Sequence, residues 1–121
     1  LFLGWAPHQM NKNIELTYLT GSTSETFGPN DGAASVVTIA RTGFSKDQPN
    51  LARLLRNLRF TVPMMNDIMD AVNNRKRDPT GASLAWLRAH PAVWKAWLVG
   101  VKTRTGTDAV KAFGAHLRKG R

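Results

Sequence analysis

The chain has 121 residues, 42% of them hydrophobic, and 17 Lys and Arg against 8 Asp and Glu give it a formal charge of +9. That size and apolar content suit one compact domain and exclude an intrinsically disordered chain. The absence of cysteine excludes disulfides, thiolate nucleophiles and Cys-based zinc sites. No apolar run approaches the roughly 20 residues needed to cross a bilayer as a helix.

In chain order, residues 1–4 read as the end of a buried strand that stops at Gly4 and hands over to Trp5, Pro7 and His8. Strand ends are where α/β proteins place ligand-contacting residues, because the sheet holds the backbone while the loop faces a crevice. The chain starts inside this apolar run, without an initiator Met or the basic region and cleavage site of a signal peptide. It therefore reads as a piece of a larger protein, cut just before its binding loop. Residues 14–19 set Ile14, Leu16 and Tyr18 against Glu15, Thr17 and Leu19, the period-two pattern of a half-buried strand. The stretch TGSTSETFGPNDGAA is rich in turn formers, and a third strand is expected over 35–41, where Val36, Val37 and Ile39 are β-branched.

From Pro49 the period changes. Leu51, Leu54, Leu55 and Leu58 form a helical stripe with Pro49 in its first turn. Thr61 is expected to cap a second helix whose buried side is Met65, Ile68, Met69 and Val72, ended by RKRDP. A third helix begins near Pro79 or Thr80, carries Leu84, Trp86 and Leu87, and stops before Pro91, which restarts the chain into AVWKAWLVGV. The last helix spans Asp108 to Leu117, with Val110, Phe113 and Leu117 on one side and Thr107 as its cap. A strand-and-loop half thus precedes a helical half, without internal repeats.

The residues offer little catalytic chemistry. The histidines are His8, His90 and His116, none in a nucleophile-elbow context. His90, before Pro91, is expected to bond to local backbone or solvent, and His116 lies near the basic tail. Neither HExxH nor an EF-hand loop occurs. GPNDG lacks the Lys and Ser/Thr of a P-loop and reads as a plain turn. Trp86, Trp94 and Trp97 occur at helical spacing among Leu and Val and are expected to pack in a core or between domains. For Trp5, between Gly4 and the Ala6-Pro7 pair, both a core and a cleft-facing placement stay open.

The charge of +9 makes nucleic acid a partner to consider. Arg53, Arg56 and Arg59 lie on the polar side of a helix, Arg75, Lys76 and Arg77 at a helix end, and Arg118, Lys119 and Arg121 in the tail. Aromatic rings are not interleaved with these charges as base stacking requires. Solvated helix faces are the expectation, with a small basic nucleic-acid-binding domain as the alternative of another class.

The runs GWAPHQMNKNIELTYL and FGPNDGAASVVTIARTGF, with QPNLARLLRNLRFT, MMNDIMDAV and ASLAWLRAHPAVWKAWL, resemble the C-terminal portion of the substrate-binding proteins of bacterial ABC importers for quaternary ammonium compounds. GWxPHxMN with FGPN is most similar to the choline-binding branch. The resemblance implies an α/β chain: a few strands followed by four to five helices, the C-terminal portion of a two-lobed type II periplasmic-binding protein. It implies that residues 1–40 supply the closing strand, ligand loop and crossover strands, that 41–121 form a helical part packing on one lobe, and that the remaining lobe or lobes lie upstream. It further implies a monomeric, periplasmic or extracellular, membrane-associated binding protein without enzymatic activity, cofactor or metal, which delivers choline to a membrane permease. The nearest alternative ligands are glycine betaine and carnitine.

Such proteins hold the trimethylammonium group in a box of aromatic rings, each desolvated cation–π contact contributing about 2 kcal/mol. By the resemblance, Trp5 matches the ring this segment contributes. His8 is the second ligand-binding candidate, contacting the carboxylate of a betaine or, with choline, bracing the loop. A single box tryptophan is too few for tight binding, so the isolated chain is expected to bind weakly or not at all.

Overall fold

The computed structural model describes residues 4–21, 23–29 and 36–119. Eight helices are assigned in these stretches: α1 (Met10–Asn13), α2 (Ser24–Phe27), α3 (Phe44–Asp47), α4 (Pro49–Asn57), α5 (Val62–Asn73), α6 (Pro79–Ala89), α7 (Pro91–Trp97) and α8 (Ala109–Lys119). The first three are single turns. The region from residue 41 onward holds six of these helices, not the four to five expected, because the turn at Phe44–Asp47 closes after Gly43, whose φ of 81° starts it.

The helix boundaries follow from caps and prolines. Pro49 opens α4, and Thr61 caps α5 by accepting from the Met64 N–H at 3.4 Å. Asp78 caps α6 by accepting from the Gly81 N–H at 2.8 Å. Pro91 ends α6 at His90 and opens α7. For α8 the cap is Asp108, which accepts from the Lys111 N–H at 2.9 Å, not Thr107; the Thr107 carbonyl accepts from the Thr103 N–H in the turn before it.

α5 packs along α6, α6 against α7, and α4 against α7, while α1 sits on α5. Leu54, Leu87, Trp94, Trp97, Leu98 and Phe113 line one apolar recess that joins α4, α6, α7 and α8. Trp94 is buried and meets Phe113 edge-on at 5.3 Å between ring centroids, and Trp97 meets Phe60 at 5.5 Å. These two tryptophans and the half-buried Trp86 pack within the helical part. Polar side chains of α4 tie in the segment after α7. Asn50 both donates to the Lys102 carbonyl (2.7 Å) and accepts from its N–H (2.9 Å), Arg53 donates to the Gly100 carbonyl, and Asn57 donates to the Trp97 and Val99 carbonyls.

Two further expectations are not met in the described residues. Among the described residues there is no strand, only an isolated bridge between Lys102 and Asp108. Residues 14–19 and 36–40 run without ladder partners. The strand end at 1–4, apart from Gly4, lies outside the described residues, as do Ser35 and most of GPNDG. The N–H and C=O groups of an extended segment pair with a neighbouring strand or are left to water, and here Val36 is 97% and Ile39 88% exposed.

The second correction concerns α5. Its buried residues are Met64, Asn66 and Asp70, whereas Met65, Ile68, Met69 and Val72 are half-buried. The apolar stripe sets one side of α5; the polar side is buried by the loop that carries Trp5.

Candidate ligand-binding loop

Residues 4–9 form a loop that enters the single turn of α1, and the turn lies on α5. At the loop's start the Tyr18 ring lies beside Gly4. Trp5 is 52% exposed and leans on His8, their ring centroids 4.6 Å apart and tilted by 57°. The structure thus brings the two candidate residues together, with the Trp5 ring on the outside of the loop.

His8 is tied down through its main chain and its ring. Its N–H donates to Asn66 Oδ1 at 2.8 Å, and its Nδ1 accepts from the Met10 N–H at 3.2 Å. With Nδ1 engaged as an acceptor, Nε2 is the ring nitrogen that carries the N–H. Asn11 completes the hold: its Nδ2 donates to the Trp5 and His8 carbonyls, both at 3.1 Å, and its Oδ1 accepts from the Tyr18 hydroxyl at 2.8 Å.

Below this clasp a polar layer fixes α1 to α5. Lys12 Nζ pairs with Asp67 Oδ1 at 2.8 Å, and Trp86 Nε1 donates to Asp67 Oδ2 at 3.4 Å. Asp70 is buried and accepts from Asn13 (3.1 Å), Asn74 (2.8 Å) and the Arg75 guanidinium (2.8 Å). A buried carboxylate is tolerated only with such partners. The amides of Asn74 and Asn13 hold the Asp70 carboxyl below the usual carboxylate range. The hydrogen bond from Lys12 does the same for Asp67, which in turn raises the Lys12 ammonium.

His90 and His116 lie apart from this loop. The His90 ring stacks on Trp86 at 3.9 Å and its Nδ1 lies 2.8 Å from the Trp86 carbonyl, a local backbone bond as expected. His116 stands beside Phe113 in α8. Among the described residues no three His, Asp or Glu side chains gather as a metal site would require. The basic side chains of α4 are exposed, and Arg53 and Arg59 donate to nearby carbonyls.

The sequence did not single out Asn11, Asn66, Asp70 or Tyr18. The available signal was the placement of Asn66 and Asp70, four residues apart and therefore on one face of a helix that also carries an apolar stripe.

Residues 1–89 match OpuAC, the substrate binding domain of ABC-type glycine betaine transport systems. The chain is also similar to two solved structures. One is an ABC-transporter choline binding protein in complex with choline (45% identity, TM-score 0.79), the other an ABC-transporter choline binding protein in an unliganded semi-closed conformation (45%, 0.73). Each match covers 94% of this chain and 39% of the solved one, so the chain spans well under half the length of these relatives. The described part is mostly helical and matches a portion of a solute-binding protein of this kind. The chain belongs to the family of substrate-binding domains of ABC-type glycine betaine transport systems.

Proposed function

We propose that the chain is the C-terminal portion of a solute-binding protein that captures choline between two lobes and delivers it to an ABC permease in the membrane. The protein acts without catalysis, in the periplasm or at the outer membrane face of the cell, as a monomer. Trp5 supplies one wall of an aromatic box for the trimethylammonium group, which cannot donate hydrogen bonds and is attracted by ring faces. The supporting observation is the Trp5 ring, half-exposed on a loop whose main chain is held from below, in a chain 45% identical to a choline binding protein complexed with choline.

His8 fits the choline reading as a brace, since its N–H donates to Asn66 of α5 and its Nδ1 accepts from the Met10 N–H. A second reading is favoured by the glycine betaine description of the matched family: His8 Nε2–H would then meet a betaine or carnitine carboxylate. Calorimetric titration of the complete protein with choline, glycine betaine and carnitine distinguishes them. Choline binding most tightly is the expected result. Glycine betaine or carnitine binding most tightly would favour the second reading, and no heat with any quaternary amine would overturn both.

A further inference from the structure

We propose that Asn66 is a positioning residue for the ligand: its buried amide holds the main chain of the Trp5–Asn11 loop and so sets where the Trp5 ring stands. This rests on the reading that Trp5 contacts the ligand.

Asn66 is 8% exposed in the middle of α5. Asparagine is a weak helix former, and its buried amide needs partners. It finds them in the loop 58 residues earlier in sequence, accepting from the His8 N–H at 2.8 Å and lying 3.5 Å from Asn11 Nδ2. Asn11 in turn holds the carbonyls on either side of this point, those of Trp5 and His8. The two amides therefore grip the chain at Trp5 and His8 from one side.

The far end of the loop is also fixed through α1, where Gln9 Oε1 accepts from Asn73 and Lys12 pairs with Asp67; its Trp5 end is held by less. Among the described residues, Gly4, Trp5 and Ala6 donate no N–H to another backbone group. The Trp5 ring is half-exposed, with His8 as its described ring neighbour. Core packing does not fix the ring, so its place follows from the main chain beneath it. A cation–π contact requires the cation within about 6 Å of the ring centroid, and a small displacement of a contact group can cost much of its contribution. Asn66 is buried beneath the loop, so its effect on binding runs through Trp5.

A double-mutant cycle on choline affinity in the complete protein tests this, with wild type, Asn66→Ala, Trp5→Ala and the double variant titrated calorimetrically. Asn66→Ala is expected to weaken binding by about tenfold in the wild-type background and by less than about twofold once Trp5 is alanine. Equal losses in both backgrounds would make Asn66 a general support of the fold, and no loss in the wild-type background would remove its role; either overturns the proposal. If Trp5→Ala itself leaves affinity unchanged, the ligand-contact reading of Trp5 fails and this inference with it. Should Asn66→Ala fail to fold, Asn66→Ser, which keeps a polar side chain in α5 but is too short to hold the His8 N–H as Asn66 does, takes its place, with the same outcomes deciding.

Discussion

Residues 36–40 and residues 91–98 are both rich in large apolar side chains, yet they fare oppositely. In α7 and the residue after it, Trp94 is 6% exposed and Trp97 and Leu98 are half-buried, whereas Val36 is 97% and Ile39 88% exposed. A helix closes its hydrogen bonds within itself and needs neighbours only for its apolar stripe. Strand backbone needs a second strand before it is regular structure at all. The helical half therefore forms from the residues at hand, while residues 14–19 and 36–40 find no ladder partner among the described residues.

The contrast can be broken from the helical side. Replacing Trp94 by alanine removes the ring that meets Phe113 and is expected to cost about 3–5 kcal/mol of stability, read by thermal or urea unfolding. A loss under 1 kcal/mol would mean that the apolar recess is not the centre of this half.

On the extended side the same kind of change should depend on context. Ile39→Ala in the complete protein is expected to cost about 2–5 kcal/mol. In the isolated chain, where Ile39 is exposed, it should stay within about 0.5 kcal/mol. Equal costs in both would show that 36–40 is already packed without its neighbours.

The polar layer between α1 and α5 sharpens the comparison by linking loop to helix. Asp67 and Asp70 are held below their usual carboxylate range, so their stabilising contribution is complete above the unfolded value near about 3.9 and is lost as pH falls through the lowered folded values. The melting temperature should fall as pH drops below about 4. Asp70→Asn should lower it at neutral pH and flatten the acid slope. An unchanged slope would detach Asp70 from acid unfolding.

Much of the helical half was legible because its signals are local. Pro49, Thr61, Pro79 and Pro91 act within a turn of their own positions, and the 3.6-residue stripe of α4 depends on nothing distant. The single turns α1, α2 and α3 were not legible, being too short for a period. At 14–19 and 36–40 the strand pattern was legible, but no strand forms there among the described residues, for the reason given by Ile39. At the candidate loop, Trp5 stood out between Gly4 and the Ala6-Pro7 pair, and His8 through the family resemblance. Asn66 and Asp70 did not, since a buried polar residue on an apolar helix has meaning only once its partner, here a loop more than 50 residues away, is known.

The account stands on Trp5. Choline titrated into the complete protein and into its Trp5→Ala variant, followed by tryptophan fluorescence and calorimetry, tests it directly. A saturable response that weakens by about thirtyfold on loss of the ring, the equivalent of one desolvated cation–π contact of about 2 kcal/mol, is the predicted result. Undiminished choline affinity in the variant would contradict it.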